Sequence, residues 1–230
     1  MFFDYYYMVL IVPTLILSVI AQIMVKSTFS KYSGIQCSRN ISGQDSAALL
    51  LKEYNIRDVK IEAVGGSLTD HYDPSSKVLR LSQPVYARNS IAAIGVAAHE
   101  AGHAIQHASK YGPLVLRSTL VPVANIGSMF GPWIAIAGLF FFGETLPWLF
   151  NLGICLFAGA VLFYVITLPV EFNASARAIA ILRNKNILSA DELSGVKKVL
   201  SAAAMTYVAS ALTALMSLLR LILLSRGRRR

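Results

Sequence analysis

The sequence predicts a mainly α-helical membrane protein, with three to four transmembrane helices and a small α+β region after the first of them. Three observations carry that prediction. Of 230 residues, 55% are hydrophobic and only 14% charged, a balance too apolar for an ordinary soluble domain. The apolar residues gather in long charge-free runs. Between the first two runs the chain reverts to the short periodicities and turn residues of a folded domain.

Residues 5–25, 118–143 and 145–170 contain no charged side chain. Each run is long enough for the roughly 20 residues that cross a hydrocarbon core as a helix. The first reads as a retained span rather than a signal peptide. Val19-Ile20-Ala21 only loosely resembles a processing site, and Met1-Phe2-Phe3-Asp4 lacks a basic n-region. A fourth segment, residues 199–224, is uncharged as far as Leu219 but richer in Ala, Ser and Thr, and Arg220 interrupts its apolar end. It is expected to be a transmembrane or interfacial helix, followed by a basic tail at 225–230.

The net charge of +9 flanks these runs instead of forming a basic patch with interleaved aromatics. It is read as topology and lipid-facing charge, with no nucleic-acid partner. Lys26, Lys31, Arg39, Lys110 and Arg117 border residues 26–117, and Arg177, Arg183, Lys185, Lys197 and Lys198 border residues 171–198. The turn between the second and third spans carries only Glu144. Both longer segments are therefore expected in the cytoplasm. A crossing fourth helix would put Arg226, Arg228, Arg229 and Arg230 outside; either the charge rule is outvoted there or the helix does not cross, with Arg220 snorkelling. Cys37 and Cys155 fall in different environments, so no disulfide is expected.

Within residues 26–117, Ser42-Gly43-Gln44-Asp45 is a helix start leading into a helix over 47–54 that ends at Asn55-Ile56. Residues 59–64 read as a half-buried strand broken by Gly65-Gly66. Asp73-Pro74-Ser75-Ser76 reads as turn chemistry, His71 just before it as a turn residue hydrogen-bonding nearby carboxylates, and residues 77–82 as a second strand. A helix capped at Asn89 or Ser90 is expected over 91–109, stopped by Gly112-Pro113. Small or apolar residues surround that helix on all sides, the pattern of a buried helix.

That helix carries His99-Glu100-Ala101-Gly102-His103, an H-E-x-x-H motif. Residues four apart in a helix lie about 6 Å apart along the axis and about 40° apart around it. Both imidazoles can therefore meet at one ion, as two ligands of tetrahedral zinc must. Glu100 stands where its carboxylate can act as general base on a metal-bound water, and Gly102 thins one flank for a close neighbour. An ionised Glu100 on so apolar a helix is costly without a partner such as a metal and its water. His107 lies about 12 Å along the axis from His99, too far to share the ion. Gln106 and Ser109 occupy the positions that an extended H-E-x-x-H-x-x-G-x-x-H motif would fill with glycine and histidine.

The third ligand is expected to be a carboxylate. Glu171 is the candidate: it follows the third apolar run, and a hairpin of the second and third spans returns it to the side of His99 and His103. A surface pairing of Glu171 with Arg177 is its rival, and Glu53 and Glu62 sit in more polar contexts.

Residues 96–106, with His99-Glu100-Ala101-Gly102-His103-Ala104-Ile105-Gln106 at their centre, followed by a membrane hairpin and Glu171-Phe172-Asn173-Ala174-Ser175, resemble the bacterial neutral zinc metallopeptidases of YugP type. The resemblance extends to residues 66–74 and 202–208. More distantly the chain is similar to the HtpX and CAAX prenyl protease group of membrane gluzincins. In the HtpX group the third ligand opens a Glu-x-x-x-Asp motif whose Asp supports a zinc-binding histidine; here Ser175 stands at that position. The resemblance implies a gluzincin-like catalytic region facing the cytoplasm from the bacterial cell membrane.

The expected centre is one zinc ion per chain held by His99, His103 and Glu171, with Glu100 as general base. Tyr207 and His71 are candidate oxyanion or substrate-binding donors. Residues 63–68 are a candidate strand edge for an extended polypeptide substrate, drawn from membrane or membrane-proximal proteins. The alternative is a non-enzymatic membrane scaffold or transporter with a structural zinc site.

Overall fold

The computed structural model describes residues 4–143 and 145–228; Met1 to Phe3, Glu144, Arg229 and Arg230 lie outside the described residues. The chain is mainly helical, with one small sheet. Among the described residues, four helices are long and apolar enough to cross a membrane: Tyr7–Ser33, Gly112–Phe140, Trp148–Asn184 and Ala190–Arg226. The chain divides into two compact units, one of residues 1–21, 115–169 and 206–230, the other of residues 22–114 and 170–205.

In the first unit, a π-helical turn at Tyr7–Ile11 leads into α1 (Val12–Ser33). The other helices are the membrane portions of α5 (Gly112–Phe140), α6 (Trp148–Asn184) and α7 (Ala190–Arg228). Its core gathers Ala135, Phe157, Ala160, Val161, Ala214 and Leu221. Large apolar side chains such as Met129, Trp133 and Phe141 face outward, as expected where the surroundings are hydrocarbon. Backbones of α5 and α6 nearly touch, since a Cβ at Gly127 would collide with the Leu156 carbonyl; small residues permit such approaches in membranes. Arg220 does not stand alone. Its guanidinium donates to Asp4 from Nε at 3.1 Å and from Nη2 at 2.5 Å, and lies over the Tyr7 ring.

The second unit is built round α4 (Ile91–Ala108). Ser90 caps it by accepting from the Ala93 N–H, and its residues are buried on nearly every side as far as Gln106. Small Ala and Gly side chains allow neighbours to pack that closely. Leu50, Leu79, Leu81, Ile94, Ile105 and Leu182 form the fully buried centre. α2 (Gly43–Glu53) begins four residues earlier than the expected 47–54, because Ser42 and Asp45 form a reciprocal capping box.

The sheet holds three strands where the sequence suggested two. β1 (Lys60–Val64) and β3 (Val78–Ser82) pair in parallel, from Lys60 opposite Val78 to Val64 opposite Ser82. β2 (His71–Asp73) pairs antiparallel with β3, His71 opposite Arg80. His71 is thus a strand residue and not a turn residue. The turn begins at Asp73, whose carboxylate accepts from Ser75 and Ser76. The order β1-β3-β2 leaves β1 at one edge. A single helical turn, α3 (Gln83–Tyr86), follows β3.

Candidate metal centre

One face of α4 carries His99 and His103 one turn apart, their rings meeting edge to face with centroids 4.7 Å apart. Glu171 comes to them from α6. Its Oε2 lies 3.2 Å from His99 Nε2 and 3.6 Å from His103 Nε2. One ligand-type atom from each of the three residues falls within 4.8 Å of the others. Tetrahedral zinc with bonds of 2.0–2.2 Å sets its ligand atoms roughly 3.3 Å apart. The donor set, two imidazole nitrogens and one carboxylate oxygen, and the observed spacing both fit that ion.

Glu171 is buried, with 2% of its surface exposed, so its charge must be met inside the protein. Arg177 donates to Asn173 Oδ1 at 2.8 Å and lies over the Tyr111 ring, while Glu171 turns to the histidines. Burial disfavours a charged His103, but the hydrogen bond and charge of Glu171 outweigh it and raise the His103 pKa. A proton and a metal ion would compete for the same nitrogen.

The outer nitrogens of both imidazoles are engaged. His99 Nδ1 lies 3.0 Å from Ser175 Oγ. Ser175 therefore contacts one of the two motif histidines from the position that carries Asp in the HtpX pattern. His103 Nδ1 donates to Gln106 Oε1 at 3.0 Å. Such contacts fix which nitrogen faces a metal and raise its basicity.

Glu100 is 9% exposed, and among the described residues none hydrogen-bonds its carboxylate. Its charge acts on His103 and on Asp70. Asp70 accepts from the Ser82 N–H at 2.7 Å and from the Ser82 hydroxyl. Burial pushes its pKa up, the Ser82 donors pull it back, and the charge of Glu100 adds to the rise.

Neither His71 nor His107 joins the cluster of His99, His103 and Glu171. His71 is exposed on β2, with Nδ1 2.8 Å from the Thr69 carbonyl. His107 pairs instead with the Tyr72 hydroxyl at 2.8 Å, and burial leads the rise of the Tyr72 pKa to about 12. Tyr207 lies half-buried on α7. Sequence reasoning noticed Gln106 only as a failed glycine position; its place three residues after His103 was the signal that it could reach that ring. Asp70 left no comparable signal, because its approach to Glu100 depends on β2, which the sequence did not reveal.

A family model described as "Putative neutral zinc metallopeptidase" matches residues 7–226. The chain is 48% identical over 215 residues to "Putative membrane protease YugP" of Bacillus subtilis (strain 168), covering 94% of each chain. No solved structure matches. With its family match spanning nearly the whole length and its histidine–glutamate cluster formed from the motif, this chain belongs to the neutral zinc metallopeptidase family.

Proposed function

We propose that the protein is a membrane-bound endopeptidase that uses one zinc ion, held by His99, His103 and Glu171, to cleave membrane or membrane-proximal polypeptides. The observation that carries the reading is the approach of both Nε2 atoms to a single buried Glu171 oxygen, with Glu100 close by and free of hydrogen bonds among the described residues. A zinc ion there supplies Lewis acidity to the scissile carbonyl and acidifies a water.

The chain's own residues do the rest. Glu100 takes the proton of the attacking water on its carboxylate and hands it to the departing amine nitrogen. Ser175 and Gln106 hold the imidazoles so that Nε2 points inward. A hydrogen-bond donor must meet the developing oxyanion; Tyr207 and His71 are the candidates. β1 at the sheet edge, running into residues 65–68, offers backbone groups to an extended substrate. The charge count favours a cytoplasmic position for residues 26–117 and 171–198 at the bacterial inner membrane.

The test is a comparison of purified wild type with Glu100→Gln and Glu171→Ala. Wild type should hold about one zinc per chain by elemental analysis and digest casein. Glu100→Gln should keep the metal and lose activity by a factor of about 100 or more, and Glu171→Ala should lose the metal. Full activity in Glu100→Gln would sink the mechanism. A metal-loaded wild type with no activity towards soluble or membrane-embedded polypeptides would favour a structural zinc.

A further inference from the structure

Gln106 is fully buried, and its amide bonds on both sides. Oε1 accepts from His103 Nδ1 at 3.0 Å, while Nε2 donates to the Val170 carbonyl at 2.8 Å and to Asn173 Oδ1 at 3.0 Å. A backbone carbonyl can only accept, so the nitrogen of Gln106 must face Val170 and the oxygen must face the histidine. Asn173 is oriented by equally one-sided chemistry. Its Oδ1 also receives Arg177 Nε at 2.8 Å, and a guanidinium has no acceptor to offer. The direction of every proton in the chain Arg177–Asn173–Gln106–His103 follows from groups that cannot reverse their roles.

We propose that Gln106, Asn173 and Arg177 form a positioning relay that holds the proton of His103 on Nδ1, leaving the Nε2 lone pair directed at Glu171 and at the metal. The inference rests on the zinc site proposed above and adds residues that the H-E-x-x-H motif does not contain. It also ties the two helices of the site together. Gln106 on α4 grips the carbonyl of Val170, the residue before the third ligand on α6. A flipped amide would set its NH2 against the histidine and its oxygen against two acceptors, so the observed orientation is the only satisfied one.

The test measures zinc dissociation constants by chelator competition on metal-stripped protein, with thermal unfolding of the same samples as the check on folding. Gln106→Met keeps the side-chain length and removes the relay, and should weaken zinc binding about 10- to 100-fold. Asn173 is only half-buried, so its variants test the relay without a large core defect. Asn173→Leu should weaken zinc binding several-fold. Asn173→Asp keeps an acceptor for both Gln106 and Arg177 and should bind within about twofold of wild type. If Gln106→Met does not fold, the contrast between Asn173→Leu and Asn173→Asp decides. Equal affinities in wild type, Asn173→Leu and folded Gln106→Met would overturn the relay while leaving the zinc site standing. A folded wild type that takes up no zinc would overturn both.

Discussion

Gly102 of α4 passes so near Ala174 of α6 that a Cβ on residue 102 would lie 2.6 Å from the Ala174 carbonyl oxygen, with two more backbone atoms within 3.2 Å. Backbone cannot swing aside as a side chain can, so the two helices would have to separate. The His103 and Glu171 side chains project from these same helices. Gly102→Ala is therefore expected to cost about 1–3 kcal/mol through overpacking, despite a gain of up to about 1 kcal/mol in helix propensity. It should also weaken zinc binding. Gly95→Ala is the comparison: its Cβ would meet the Val196 side chain at 3.1 Å, which can yield. Thermal unfolding in detergent should rank Gly102→Ala well below Gly95→Ala; the reverse order would mean that this approach does not set the site.

Ser175 stands on α6 one turn beyond Glu171 and meets His99 Nδ1 at 3.0 Å. A hydroxyl is a weaker acceptor than the carboxylate that the HtpX pattern places there. Ser175→Ala should lower zinc affinity by about tenfold, the lower end of the effect of removing such a contact. Ser175→Asp should bind zinc at least as tightly as wild type. A loss in Ser175→Asp as large as in Ser175→Ala would show that this contact does not support His99.

The cluster of His99, His103 and Glu171 that could hold a metal was legible in the sequence because its constraints are local or nearly so. Four-residue spacing in a helix joins His99 to His103, and Glu171 betrayed itself as a charge at the end of an apolar run. The long spans were legible because hydrocarbon excludes charge. What the sequence concealed depends on pairing between distant segments. β2 is three residues long and sits among Asp, Pro and Ser, so no alternation announces it, and the parallel match of β1 to β3 crosses that whole excursion. Gln106 reads as an ordinary polar residue until α6 supplies Val170 and Asn173. Arg220 reads as an interruption of an apolar helix until Asp4, 216 residues earlier, meets it.

Asp70 provides a pH test. Its folded pKa is raised, first by burial and further by the charge of Glu100, so the native state binds this proton more tightly than the unfolded chain. The ionised group thus costs stability at neutral pH, and that cost is removed as pH falls through the raised pKa. Asp70→Asn keeps an oxygen for the Ser82 N–H and deletes the charge. In metal-stripped protein it should melt at or above the wild-type temperature at pH 7, with the two curves converging towards pH 4. A variant that melts well below wild type at pH 7 would show that the carboxylate's bonds to Ser82 outweigh its burial.

The Asp4–Arg220 pair bears on how the chain is threaded. Asp4 immediately precedes the first helix, and Arg220 lies close to the end of the last. Their contact brings the beginning of the first apolar helix and the end of the fourth to one face of their unit. If α7 crosses the membrane, both chain ends lie on one side, and the basic residues from Arg226 onward are carried there against the usual charge preference. The pair offsets part of that bias by neutralising Arg220 within an apolar helix. In protein with Cys37 and Cys155 replaced by serine, single cysteines at positions 5 and 226 should both react with a membrane-impermeant thiol reagent added to intact cells. A cysteine at position 57, in the segment that the charge count assigns to the cytoplasm, should react only after the membrane is opened. Labelling at position 5 without labelling at 226 would show that the fourth helix does not cross, and labelling at 57 in intact cells would reverse the proposed orientation of the site.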